Sequence, residues 1–291
     1  MTDDTTFLLI GAAGLVGRHL REALAGRRVA ATYHRTPAAG AMALDLADTD
    51  AVRRLVRRAH PDVVVLAAAE THVERCERER ESTRQVNVTA ARAVAEVVED
   101  IGAALVVFSS EYVFDGTVGQ YGEDDALGPI NEYGRQKVEL EAIAASAARH
   151  LICRSSGIYG WEDRRMNFVC RLVDHLRAGR RFDVPTDQIV TPTHAPALAE
   201  ATVELIDGGH AGTFHVVGPR ILGRLEFAEM AAAAFDLPGR LLRPRETGDL
   251  GLAAARPLRA GLRDDKLRAA LGHGLTPPAD GLRAMRATER R

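Results

Sequence analysis

Three glycines, Gly11, Gly14 and Gly17, separate the apolar run Phe7 to Ile10 from Leu15 to Ala25, where apolar residues recur at helical spacing. A strand that turns through bare glycine into a helix lets backbone approach a diphosphate, while the helix N-terminus supplies positive potential. The motif alone is weak, since glycine turns also serve tight packing. Its place in the first βα unit, with Leu15 and Val16 opening the helix, makes Gly11, Gly14, Leu15, Val16 and Gly17 the expected phosphate-binding segment.

The same alternation continues. Strand patterns at Val29 to Tyr33, Met42 to Leu44, Val63 to Leu66, Ala104 to Phe108 and Leu151 to Arg154 alternate with helical patterns at Thr49 to Ala59, Val86 to Asp100 and Glu132 to Ala148. Strands that are apolar throughout are buried on both faces, so the expected fold is α/β: a doubly wound parallel sheet of Rossmann type. After Gly160 the alternation breaks down. Helices are expected near Asn167 to Ala178, His194 to Ile206 and Leu225 to Ala234, strands near Phe182 to Val184 and Thr213 to Val217, and a loop over 236–251. The division that follows is a dinucleotide domain over 1–155 and mainly a smaller substrate lobe over 156–291, with 213–217 returning to the sheet.

Composition narrows the partners. A formal net charge of -2, with arginines scattered among acids, leaves no footprint for nucleic acid. No apolar run approaches the roughly 20 residues of a membrane span, and the acidic opening MTDDTT is unlike a signal peptide, so a cytoplasmic protein is expected. Cys76, Cys153 and Cys170 lack ligand spacing, so no metal site is expected and they read as small buried hydrophobes.

The second strand pattern ends Ala-Thr-Tyr-His-Arg, without the acid that holds the ribose hydroxyls of NAD. Arg35, helped by His34, instead suits the 2′-phosphate of NADP(H), with NAD(H) the lesser expectation. Asp45 and Leu46 are placed to meet the adenine, Ala67, Ala68 and Ala69 let the chain pass close beneath the cofactor, and Ser156 joins the cofactor-binding set.

Tyr133 and Lys137 carry the chemistry. At i and i+4 on a helix, a phenol and an ammonium share one face. With five tyrosines and two lysines in 291 residues, such a pair arises by chance only about 0.03 times. A phenol with a free pKa near 10 is a poor acid–base group at neutrality, and a nearby cation is expected to lower it. Ser110, ending the Ala104 to Phe108 strand pattern, brings a hydroxyl to the sheet edge where open α/β folds bind ligands.

With GAAGLVG, LAAAETHVERCE, NVTAARAVAE, SSEYVFDG, NEYGRQKVELE, DQIVTPTH and RPLRAGLRDDKL in this order, the chain resembles the dTDP-4-dehydrorhamnose reductase family, of the extended short-chain dehydrogenase/reductase type, over nearly its whole length. The resemblance implies reduction of a nucleotide-linked 4-keto-6-deoxysugar by NADPH. It implies that Ser110 and Tyr133 hold the keto oxygen, that Tyr133 gives the proton, and that Lys137 binds the nicotinamide ribose and lowers the phenol's pKa. It places Tyr112, Asn167, Phe168, Gln188, Thr191 and Arg256 against the nucleotide sugar, and is compatible with a homodimer. The family pattern is broken at Gly157, where many members have a tryptophan, at Glu70, and at Arg259 and Arg263. Trp161 is the expected compensation for Gly157. Three other readings stay open: an epimerase or dehydratase, of whose acid/base pair Glu111 offers half; a reductase of a non-sugar carbonyl; and a non-catalytic NADP-binding regulatory subunit.

Overall fold

The computed structural model describes residues 4–289. Seven strands form one parallel sheet. Five of them are β1 (Thr6–Ile10), β2 (Arg28–Tyr33), β3 (Ala41–Ala43), β4 (Val63–Leu66) and β5 (Ala104–Ser110). Beyond β5 lie His150–Ser155 and then Gly212–His215, so the order from one edge is Gly212–His215, His150–Ser155, β5, β4, β1, β2, β3. Every pairing is parallel. The winding reverses between β1 and β4, which opens a crevice at their C-terminal ends.

Both faces of the sheet are covered, which is why VVVL in β4 is wholly apolar and wholly buried. One face packs against helices Thr49–Ala59, Ala90–Ile101 and Glu132–Ala145. The other carries α1 (Leu15–Ala23) and helix Ala195–Asp207, which pack on each other and on Leu9, Val65 and Phe108. Buried between strands and helices, Arg154 pairs bidentately with Glu141 at 2.9 and 2.8 Å, so the charge has its counter-ion.

A separate apolar core gathers Tyr159, the helix Phe168–Arg177, the helix Arg224–Ala234 and Met285. Within 236–251, expected to be loop, Leu242–Arg245 pairs in parallel with Phe182–Pro185 and closes this core. Ala260–Leu262 pairs with Gly119–Tyr121, tying the late chain to the loop after β5. Helices Asp265–Leu271 and Pro278–Ala287 escaped the sequence pattern. Cys76, Cys153 and Cys170 are free and buried, and burial pushes the Cys76 thiol up to about 11. Among the described residues no helix is long and apolar enough to cross a membrane, and no cluster of His, Cys, Asp and Glu could hold a metal ion.

Candidate active site

The turn after β1 is pinned to β2, where the Ala12 amide donates to the Thr32 carbonyl at 2.7 Å. A Cβ on Gly17 would lie 2.0 Å from the Gly11 carbonyl oxygen, so glycine there is demanded by the turn itself. Gly14 differs: its Cβ would meet only the Gly11 oxygen, at an ordinary 3.5 Å. It caps α1 without any side-chain hydrogen bond, leaving the amides of Leu15, Val16 and Gly17 for a ligand. Ala67, Ala68 and Ala69 follow β4 directly, and Ala68 packs against Gly11 across the winding reversal. These features fit a dinucleotide diphosphate.

At the end of β2, Arg35 is exposed and forms no ion pair among the described residues. His34 Nε2 lies 3.7 Å from Asp45 Oδ1, so Asp45 faces His34. Leu46 is buried in the sheet's core, so only its backbone is offered to an adenine.

The catalytic candidates meet at the end of β5. Helix Glu132–Ala145 is capped by Asn131, whose side chain accepts from the Gly134 amide at 2.8 Å and donates to the Ala255 carbonyl at 2.7 Å. A Cβ on Gly134 would lie 2.2 Å from the Tyr112 carbonyl oxygen, so glycine lets this helix press onto the turn Glu111–Val113. Tyr133 and Lys137 are both buried, and Tyr112 meets the Tyr133 ring edge-on with centroids 5.5 Å apart. Lys137 Nζ donates to the Phe108 carbonyl at 2.8 Å and lies 5.7 Å from the Tyr133 ring centroid. The Ser110 hydroxyl donates to Glu111 Oε2 at 2.6 Å and accepts from the Tyr112 amide.

The electrostatics correct one expectation. The Tyr133 phenol lies above its ordinary value, because burial outweighs everything else and the Glu111 carboxyl adds to it, with Ser110 opposing. In the resting site the lysine does not offset that burial: its ammonium donates to the Phe108 carbonyl, and burial brings Lys137 itself down to about 8. Burial likewise raises Glu111 above the usual carboxylate range, against hydrogen bonds from Ser110 and the pull of Arg224. The resting site therefore keeps its phenol protonated at neutral pH, the form needed to give a proton.

The expected sugar-side residues are buried or half-buried, and most of their polar atoms are engaged by the fold. Tyr112 borders Tyr133, and Phe168 lies beneath the Arg224 guanidinium. Asn167 caps its own helix through the Cys170 amide and donates to the Gly160 carbonyl. Thr191 exchanges hydrogen bonds with the Leu262 backbone, and its amide donates to Ser156, which also faces Glu111. Gln188 donates to Thr247, and Arg256 pairs with Glu74 at 2.7 Å. Trp161 does not compensate for Gly157: its indole donates to the Met285 carbonyl and packs edge-on against Phe235, anchoring the second core. Glu70 pairs with Arg75, and Arg259 and Arg263 lie against Gly119 and Gly122.

Two residues were missed. Asn87 sits in a π turn, Gln85–Thr89, inside an otherwise α-helical stretch; it bridges the Glu70 amide and carbonyl to Gln136 on the Tyr133 helix. A lone Asn within a helical pattern gives no warning of this. Arg224 opens helix Arg224–Ala234 over Phe168, and in an arginine-rich chain nothing singled it out.

The chain matches the family model described as RmlD substrate binding domain over residues 5–290. It is 34% identical to a probable low-salt glycan biosynthesis reductase, Agl14, of Haloferax volcanii, over 95% of this chain and 96% of the relative. It is 31% identical to dTDP-4-dehydrorhamnose reductase of Mycolicibacterium smegmatis, over 96% of this chain and 83% of that one. The crystal structure of Bacillus anthracis dTDP-4-dehydrorhamnose reductase in complex with NADP superposes with a TM-score of 0.89 at 27% identity, covering 97% of this chain and 98% of that one. By sequence, by fold and by the parts assembled at the sheet edge, this chain belongs to the dTDP-4-dehydrorhamnose reductase family.

Proposed function

We propose that the protein is an NADPH-dependent reductase of a nucleotide-linked 4-keto-6-deoxysugar, working through Ser110, Tyr133 and Lys137. The observation that carries this reading is the burial of all three at the end of β5, with Lys137 fixed to the Phe108 carbonyl. The sheet and its helices form the dinucleotide domain, and 156–291 mainly the substrate lobe. The glycine turn and the amides of Leu15, Val16 and Gly17 would hold the diphosphate, and Arg35, with no carboxylate partner among the described residues, the 2′-phosphate.

When bound, the cofactor supplies a hydride to the carbonyl carbon. Tyr133, held protonated by burial, gives its proton to the carbonyl oxygen, which completes the alcohol. Lys137, a nearby ammonium, then steadies the phenolate that remains. Glu111 orients Ser110. The Glu111 carboxyl accepts from the serine hydroxyl and so holds the serine oxygen at the end of β5. Tyr112 closes the pocket edge-on against Tyr133 and limits water.

The test follows NADPH absorbance with dTDP-4-keto-6-deoxyglucose. Stoichiometric oxidation with an alcohol product is expected. NADPH binding without turnover across keto sugars would favour a regulatory subunit, and loss of water without NADPH consumption a dehydratase.

A further inference from the structure

Among the described residues Arg224 has no counter-ion. Its Nε is buried with no hydrogen-bond partner, and it forms no ion pair among the described residues. A buried donor left in this way calls for a partner from outside the chain. The guanidinium carbon stands over the Phe168 ring, 4.9 Å from its centroid. Phe168 meets Phe182 at 5.6 Å, and over Phe182, at 5.9 Å, stands Arg171, exposed and likewise without an ion pair. Two guanidiniums thus bracket two packed rings.

Neither cation is answered by an acid. Glu74, the nearby carboxylate, is already taken by Arg256. Glu111 faces Arg224 but forms no ion pair with it, and burial favours its neutral form. Burial, and then the guanidiniums of Arg256 and Arg171, pull Arg224 below the usual arginine value. An anion placed between them relieves that repulsion. Planar forks with free donors suit phosphate oxygens, and the two helices that carry them, Phe168–Arg177 and Arg224–Ala234, pack on each other in the second core, so the spacing is fixed before a ligand arrives.

We infer that Arg224 and Arg171 form a diphosphate clamp, in which Arg224, held over Phe168, is the principal contact to the diphosphate of the nucleotide sugar and Arg171 the outer one. This deepens the nucleotide-sugar reading and rests on it. The clamp recognises charge and phosphate geometry and is indifferent to the sugar.

Calorimetric titration of the full chain with dTDP, and separately with NADPH, tests it. Loss of one charge-assisted hydrogen bond corresponds to about a ten- to hundredfold change in Kd. Arg224→Gln is therefore expected to weaken dTDP at least about tenfold, and Arg171→Gln about threefold with a shallower salt dependence. NADPH affinity stays unchanged in both, and Arg224→Lys recovers part of the loss. Equal dTDP affinity in wild type and Arg224→Gln overturns the clamp while leaving the nucleotide-sugar reading standing. A parallel loss of NADPH binding also overturns it, because the residue would then be supporting the fold. Wild-type protein that binds no dTDP overturns both.

Discussion

Lys137→Met removes a buried charge from the centre of the site, and the sign of its effect depends on pH. Lys137 is only 3% exposed, and burial brings its ammonium from the ordinary 10.5 to about 8. A group whose folded value lies below its unfolded value makes the folded state bind protons less tightly, so folding is opposed below the folded pKa and the penalty vanishes above the unfolded one. A drop of that size corresponds to about 3 kcal/mol. The penalty is near its full value at pH 7, begins to fall as pH passes about 8, and is under about 1 kcal/mol at pH 10. Methionine keeps the unbranched stem and carries no charge, but leaves the Phe108 carbonyl without its donor, which costs about 1–3 kcal/mol at every pH. The absolute stabilities at pH 7 are therefore close, while their difference moves by about 2 kcal/mol in favour of wild type between pH 7 and 10. Urea denaturation of both proteins at four pH values measures this, with other titrating groups cancelling in the difference. A difference that stays flat, or that moves in favour of the variant as pH rises, would refute the reasoning.

Other consequences are simpler to read. Gly17→Ala drives a methyl to 2.0 Å from the Gly11 oxygen and is expected to cost about 1–3 kcal/mol in thermal denaturation, whereas Gly14→Ala leaves stability intact and weakens NADPH in a fluorescence titration. Arg35→Ser is expected to raise the Kd for NADPH by about ten- to hundredfold and to leave NADH unchanged, as measured by titration with each cofactor. Turnover at saturating substrate should fall as pH rises through about 8, where Lys137 loses its charge, and a pH–kcat profile flat to pH 10 would contradict its role beside the phenolate.

The sheet was legible because its strands are buried on both faces: Val63–Leu66 and Ala104–Ser110 can hardly be anything else once glycine turns and amphipathic helices flank them. Tyr133 and Lys137 were legible because lysine is rare in this chain. What the sequence concealed was of two kinds. Short pairings such as Ala260–Leu262 with Gly119–Tyr121 join segments far apart in the chain and carry no periodicity of their own. The charge states of the site were hidden too, because they follow from burial: the i, i+4 spacing announces an ammonium near a phenol, but not that the ammonium is drawn to the Phe108 carbonyl. The sugar side read least well. Asn167 and Thr191 spend their polar atoms on the fold, while Arg224, hidden among many arginines, keeps its own free.

Isotope transfer tests the central claim most directly. With NADPH deuterated at the transferable position and dTDP-4-keto-6-deoxyglucose as acceptor, mass spectrometry should find one deuterium on the sugar carbon that bore the ketone. With Tyr133→Phe that transfer should slow by about 10²–10⁴ while the cofactor still binds. Deuterium retained on the cofactor in wild type, or undiminished transfer in the phenylalanine variant, would contradict a reduction in which this tyrosine supplies the proton.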